Sequence, residues 1–287
     1  PEVTMLTAVP NFAFAAIWSV GESYVATQTW EKAQAAQAAV DAGGEATDEQ
    51  QSDIDAWADF EGELKPDELT LRKDIEAHQG SYLDVVTYQA PRNAHFESWG
   101  AYRYFFDIFS MMLLGMALYK LGVLTLGRPS RVYLGMMLIG YPIGLAVNYY
   151  ELQIVLAGDF SVLSFLRASW TYDLGRIAMT VGHLGTLLLF CRSGWLRWLQ
   201  RSLAAVGQMA LTSYVSHSIL CAIIFSGFGF GLYSELERHQ LYYVVGSIWL
   251  LQLIVSPIWL AHYRFGPLEW LWRTLTYLQP QPMRRAA

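Results

Sequence analysis

The chain has 287 residues, of which 54% are hydrophobic, 15% aromatic and only 15% charged. Soluble domains carry more charge and fewer aromatic residues, so this composition excludes an ordinary soluble globule. The net charge of −6 is unevenly distributed, because residues 31–97 contain sixteen acidic and five basic residues and the rest of the chain is net positive. No basic cluster indicates nucleic-acid binding, and Cys191 and Cys221 have neither disulfide nor metal-ligand spacing.

The first apolar run, residues 5–25, is interrupted by Pro10, Asn11 and Glu22. It has neither a basic leader nor a clear cleavage site, so we interpret residues 1–28 as a possible transmembrane helix of a fragment or processed chain. Residues 29–100 follow as an acidic, extracytoplasmic helical insert, either a solvated cap or a substrate-gating lid. Within it, Gly43, Pro66 and Gly80 predict the breaks between helices.

Residues 101–264 contain five segments long and apolar enough to cross a bilayer about 30 Å thick. They run approximately over residues 101–124, 132–156, 171–190, 203–232 and 241–263. The last part, residues 265–287, predicts an interfacial helix rich in tryptophan and then a cytoplasmic tail. The expected fold is therefore all-α, a polytopic transmembrane helix bundle with one helical insert.

Basic residues alternate between the connections, which predicts the orientation because short cytoplasmic loops are rich in Lys and Arg. The connections near residues 120–131 and 192–201 and the tail after residue 264 are basic. The connections 157–170 and 233–240 are acidic or nearly neutral. The C-terminus is thus expected in the cytoplasm and the insert outside a bacterial inner membrane.

Ionisable residues inside predicted spans are candidate functional groups, because a charge is costly in a bilayer. An outer layer has three pairs spaced to share a helix face, which are Arg103 with Asp107, Asn148 with Glu151, and Asp173 with Arg176. These residues are candidates for binding a polar substrate, with Arg176 able to hold a carboxylate or phosphate by two-point contact. The alternative is a set of interfacial ion pairs that fix helix packing.

A deeper layer contains His183 and His217, each near the middle of its predicted span, with Gln208 and Ser213 on the second of these helices. A histidine near a hydroxyl can abstract a proton in acyl transfer, so both histidines are catalytic candidates and Gln208 and Ser213 binding candidates. The alternative is hydrogen bonding that only holds the bundle together. No metal-binding motif is present in the sequence. Gly140 and Gly144 predict close helix packing, and Gly227, Gly229 and Gly231 predict a helix break.

Three stretches resemble the YeiB-like family, domain of unknown function 418. They are AAVGQMALTSYVSHSIL (204–220), RFGPLEWLWRTLTY (264–277) and MMLLGMALYKLGVL (111–124). That family is similar, at superfamily level, to multi-pass membrane acyltransferases that modify extracytoplasmic glycans with a cytoplasmic acyl donor. The resemblance implies an acyl donor such as acyl-CoA, and it implies that an N-terminal transmembrane half bearing an LDxLRG-like motif is missing here. This chain departs from the family pattern at Gln208, where Arg is frequent, and at His217, where Gln is frequent.

Three hypotheses follow for function. The first is an acyltransferase-like membrane protein acting on an extracytoplasmic glycan or lipid. The second is a permease for a small polar solute, with the charged pairs and histidines along its path. The third is a non-catalytic membrane module that packs against the missing half.

Overall fold

The computed structural model describes Glu2–Arg284, and within this range the side chains of residues 2–9, 11, 12, 15 and 103 lie outside the described residues. The described chain is all-α, as predicted, apart from one isolated antiparallel bridge between Tyr263 and Arg284.

The insert has the helices that its glycines and proline predict. Helix α1 (Glu2–Asp41) is followed by α2 (Asp48–Leu64), α3 (Glu68–Gln79) and α4 (Tyr82–His95). Helix α2 begins with a capping box, in which the Thr47 hydroxyl accepts from the Gln50 amide and the Gln50 side chain accepts from the Thr47 amide. Helix α1 continues without a break past residue 28, so the expected boundary between membrane helix and insert lies inside one helix. Whether α1 spans the membrane stays a prediction.

The membrane region contains α5 (Ala101–Arg103), α6 (Phe105–Lys120), α7 (Ser130–Ala157), α8 (Val162–Ala168) and α9 (Tyr172–Ser193), then α10 (Arg197–Gln208), α11 (Ala210–Phe225), α12 (Arg238–His262) and α13 (Pro267–Tyr277). By length and composition, Ser130–Ala157, Val162–Ser193 and Arg238–His262 can each cross a bilayer. Two bent pairs, one ending in α6 and the other formed by α10 with α11, raise the number of candidate spans to five among the described residues. The protein is therefore a multi-span membrane protein.

The fourth predicted span, residues 203–232, is not one continuous helix. Helices α10 and α11 meet at an angle of 84° at Met209, and α11 ends at Phe225. The three glycines that follow Phe225 form the predicted break, because Gly231 has a φ of +66° and a Cβ on Gly229 would meet the Ile223 carbonyl.

Contacts divide the chain into two compact units. The first contains Pro1–Asp67 with His95–Ser193, and the second contains Glu68–Ala94 with Gly194–Ala287. The insert is divided as well, since α2 belongs to the first unit and most of α4, with α3, to the second.

Glycines bring α7 and α9 together in the first unit. A Cβ on Gly140 would lie 2.5 Å from the Gly182 nitrogen, and one on Gly185 would lie 2.5 Å from the Tyr133 carbonyl oxygen. A Cβ on Gly144 would meet the Met179 side chain at 2.6 Å. The predicted close packing at Gly140 and Gly144 is confirmed, and glycines of α9 complete the contact.

In the second unit, Glu269 of α13 holds the beginning of α11. Its carboxylate accepts from the Thr212 amide at 3.0 Å and from the Thr212 hydroxyl at 2.5 Å. Gly266 fits beside this contact because a Cβ there would lie 2.1 Å from the carboxylate. A carboxylate at a helix N-terminus accepts hydrogen bonds from free backbone amides and interacts favourably with the positive end of the helix dipole. Glu269 therefore stabilises the start of α11 and with it the bend at Met209.

Candidate functional site

An ion network joins α6 to α9 in the first unit. The two terminal nitrogens of Arg176 donate to both carboxylate oxygens of Asp107, at 2.9 and 2.6 Å, and one of them also donates to Asp173 at 2.7 Å. All three side chains are about three-quarters buried. Two-point contact of this kind is the strongest geometry for an Arg–carboxylate pair.

A cavity of about 200 Å³ lies against this network. The side chains of the network form one side, and α1, Tyr104, Phe106 and Tyr172 form the rest; the α1 residues are Phe14, Trp18, Ser19 and Glu22. The Trp18 indole donates to the Glu22 carboxylate at 2.9 Å. The cavity therefore combines aromatic faces with carboxylate groups.

The charges around the cavity change the expected role of Arg176. Among the side chains that the structure describes, Glu22, Asp107 and Asp173 bring three carboxylates to the cavity and Arg176 brings one guanidinium. Both terminal nitrogens of Arg176 are bonded to carboxylates, and only its buried Nε lacks an acceptor among the described residues. The excess of negative charge disfavours an anionic ligand and favours one that donates hydrogen bonds or carries positive charge.

The other outer-layer residues of the first unit lie next to this network. A Cβ on Gly175 would lie 2.6 Å from the Asn148 side-chain oxygen, so α7 contacts α9 one residue before Arg176. Glu151 accepts a hydrogen bond from the Thr171 hydroxyl at 2.9 Å. Neither Asn148 nor Glu151 lines the cavity. The side chain of Arg103, the predicted partner of Asp107, lies outside the described residues. Among the described residues, Asp107 pairs with Arg176.

His183 lies on α9, seven residues and thus about 10 Å along the helix from Arg176. Its Nδ1 donates to the Met179 carbonyl at 2.7 Å, which leaves Nε2 as a proton acceptor. Its ring meets the Tyr141 ring edge-on, with centroids 5.2 Å apart. His183 does not line the cavity, and its catalytic role stays a prediction.

The remaining predicted residues belong to the second unit. Gln208 is exposed, one residue before the bend and on the same face of α10 as Arg197 and Arg201. Ser213 and His217 are half-buried on α11, and the Ser213 carbonyl accepts from the Gln252 side chain at 3.0 Å. No hydrogen bond joins the Ser213 hydroxyl to His217 in the described part of the chain. The roles of these three residues stay predictions.

Trp18 and Glu22 were not predicted as site residues, because α1 was considered only as a weak span. Their spacing of four residues was a usable signal, since it places a carboxylate and an indole on one helix face. Within Glu2–Arg284, excluding the side chains that are not described, no group of three or more His, Cys, Asp or Glu residues is arranged to hold a metal ion.

A second polar cluster joins the insert to the 226–237 loop in the second unit. The Tyr233 hydroxyl donates to Asp74 at 2.5 Å, and Arg92 also bonds Asp74 at 3.0 Å. The His78 ring stacks on Tyr233 with centroids 4.2 Å apart, and the Gly227 amide donates to the His78 carbonyl at 2.7 Å. These contacts fasten α3 to the loop.

Burial and the hydrogen bond to Asp74 raise the pKa of Tyr233 from about 10 to about 12. Because the folded-state pKa is the higher one, Tyr233 contributes stability that is complete below pH 10 and lost as the pH rises through 12.

We expect the difference between the tyrosinate absorbance titrations of wild type and Tyr233→Phe to show one group that titrates near pH 12. The control Tyr242→Phe, at an exposed tyrosine, should leave the step near pH 12 in place. A Tyr233 difference centred near pH 10 would contradict the proposed burial.

The fold and cavity define a class: an all-α, multi-span membrane protein with a charged and aromatic cavity between helices. The chain belongs to the family described as "Protein of unknown function (DUF418)", whose model matches residues 118–279. This family assignment confirms the resemblance carried by the two C-terminal stretches.

Two bacterial relatives illustrate the similarity. The chain is 31% identical to Uncharacterized protein YeiB of Escherichia coli over 176 residues, which cover 61% of this chain and 45% of YeiB. It is 35% identical to Uncharacterized protein YxaH of Bacillus subtilis over 103 residues, which cover 36% of this chain and 26% of YxaH. The matches thus span less than half the length of these relatives. No solved structure matches the chain.

Proposed function

We propose that the protein is acyltransferase-like and transfers an acyl group to a hydroxyl of an extracytoplasmic glycan or lipid held in the Arg176 cavity. The observation that carries the proposal is the cavity itself, whose described lining combines three carboxylates, one guanidinium and aromatic faces. Carboxylate oxygens accept hydrogen bonds from hydroxyl groups, and aromatic faces cover the apolar side of a sugar ring.

The reaction would break the thioester bond of an acyl thioester, such as acyl-CoA, and form an ester with the acceptor oxygen. The acceptor hydroxyl gives its proton to a base, and the leaving thiolate takes up a proton. His183 is the proposed base, since its Nε2 is free to accept. It lies about 10 Å from Arg176, so an acceptor would have to extend from the cavity toward it.

The proposed orientation places the cavity outside a bacterial inner membrane and the C-terminus in the cytoplasm. Two observations support it. The side chain of Arg192 donates to the Arg128 carbonyl, so two of the basic connections meet at one end of the first unit. Arg176 lies sixteen residues from Arg192 on α9, about 24 Å toward the other end.

The test uses the full-length protein in inside-out membrane vesicles supplied with radiolabelled acetyl-CoA. We expect label in an envelope glycan or lipid, and we expect His183→Ala to remove the transfer while leaving a monodisperse protein. Transfer of no label, under conditions in which a known membrane acyltransferase is active, would overturn the proposal.

The second candidate is a permease, favoured by ionised groups within α9, because such groups mark solute pathways in membranes. Proteoliposome uptake separates the two candidates. Flux of a polar solute without covalent change would favour transport, whereas covalent acylation without flux would favour transfer.

A further inference from the structure

A second, larger cavity of about 950 Å³ lies beside the Arg176 cavity in the first unit. It is a groove between α1, α2 and the segment from α8 to Ser169. Its walls are largely apolar and include Ile17, Val25, Ala26, Phe60, Leu64 and Leu166. Its size is at the upper end of the range for small-molecule sites, roughly 300–1,000 Å³.

The groove and the Arg176 cavity share part of their walls. Trp18, Ser19 and Glu22 line both spaces. One molecule could therefore place a polar part against the carboxylates and a hydrocarbon part in the groove. The buried Ser23 hydroxyl is hydrogen-bonded to the Ser169 hydroxyl at 2.6 Å, so α1 is joined to the segment after α8 within the groove lining.

The charges limit the kind of polar part. Glu22 and Glu63 line the groove, and none of the described residues in its lining is basic. The Arg176 cavity adds Asp107 and Asp173, and both terminal nitrogens of its one described guanidinium are bonded to these carboxylates. A phosphate-bearing head group would meet this excess of carboxylates, whereas an uncharged hydroxyl-rich head would find hydrogen-bond acceptors.

We infer that the acceptor is an uncharged glycolipid, with its sugar in the Arg176 cavity and its hydrocarbon chain in the groove. This inference rests on the proposed function in one respect, because the glycolipid is an acceptor only if the protein transfers an acyl group to it. Binding alone, however, can be measured without transfer.

The experiment is native mass spectrometry of the full-length protein in a polyoxyethylene ether detergent. The probes are monoglucosyl diacylglycerol and phosphatidylglycerol with identical acyl chains. We expect wild type to retain one glucosyl lipid about tenfold more tightly than phosphatidylglycerol. Equal or tighter retention of phosphatidylglycerol would overturn the inference.

A matched pair of variants tests the groove. Ala56→Trp places an indole in the groove, whereas Ala35→Trp makes the same change at an exposed position of α1 outside it. We expect Ala56→Trp to weaken retention of the glucosyl lipid by about tenfold and Ala35→Trp to leave it unchanged. Unchanged retention in folded Ala56→Trp would also overturn the inference. If Ala56→Trp does not fold, the comparison of the two lipids on wild type decides.

The inference and the proposed function can fail separately. Retention of the glucosyl lipid without any acyl transfer would sustain the inference and refute the transfer. Equal acylation of methyl glucoside by wild type and Ala56→Trp, without retention of the glucosyl lipid, would sustain the transfer and refute the inference.

Discussion

Replacing Asp107 with Asn should destabilise the protein by breaking the two-point contact that joins α6 to α9. The substitution leaves Arg176 with Asp173 alone, at 2.7 Å, in place of the two-point contact with Asp107. Removing one partner of a buried ion pair costs roughly 3–5 kcal/mol. We expect about 3 kcal/mol here, because a quarter of each side chain is exposed. Unfolding of the purified protein in mixed micelles measures the change.

The double variant Asp107→Asn with Arg176→Gln is the control. It removes both ends of the two-point contact, so its loss of stability should be smaller than the sum of the losses of the two single variants. A double variant whose loss of unfolding free energy equals the sum of the losses of the two single variants would show that the two residues are not coupled.

Replacing Gly185 with Leu should prevent α7 and α9 from packing. A Cβ there would lie 2.5 Å from the Tyr133 carbonyl oxygen and 2.8 Å from the Met137 nitrogen, both backbone atoms of α7. Ordinary overpacking costs about 1–3 kcal/mol, and a clash with backbone should exceed this range because the helices must separate. The expected result is loss of the monodisperse peak in size-exclusion chromatography.

Gly135→Leu is the matched control for this change. Gly135 lies on α7, and a Cβ there meets nothing within 4 Å. The protein should keep its monodisperse peak, since leucine also favours a helix over glycine. Equal behaviour of the two variants would contradict the close approach of α7 and α9.

Local sequence signals were sufficient to predict the helix breaks in the insert and the position of the uninterrupted spans. Gly43, Pro66 and Gly80 each act on the backbone at their own position, so the breaks between α1, α2, α3 and α4 could be predicted from them. Helices α7 and α12 are long and predominantly apolar, and hydropathy alone predicts such spans.

The bend at Met209 could not be predicted in the same way. Residues 203–232 contain no Asp, Glu, Lys or Arg that would mark a break, and the group that stabilises the start of α11 is Glu269, 57 residues after Thr212. The family resemblance includes both of the stretches concerned, residues 204–220 and 264–277, but it gives no physical reason for their sequences. The structure supplies a physical reason for part of the pattern: Gly266 makes room for the Glu269 carboxylate, which holds Thr212.

Part of the ion network could be predicted from the sequence. Helical spacing correctly paired Asp173 with Arg176, but the stronger partner, Asp107, is 69 residues away and depends on how α6 packs against α9. That packing pairs Arg176 with carboxylates of the chain itself, which the sequence did not predict for Asp107. The contribution of Trp18 and Glu22 depends on the packing of α1, which local pattern does not specify.

The most direct test of the Arg176 cavity as a substrate site is acyl transfer by the full-length protein carrying Asp173→Asn. Asp107 keeps its two-point contact with Arg176 in this variant, so the protein should remain folded. If the carboxylates hold the acceptor, transfer should fall by about tenfold or more, which corresponds to roughly 1.4 kcal/mol of lost transition-state stabilisation. Undiminished transfer by the folded variant would contradict the substrate site and leave the network as a device for helix packing.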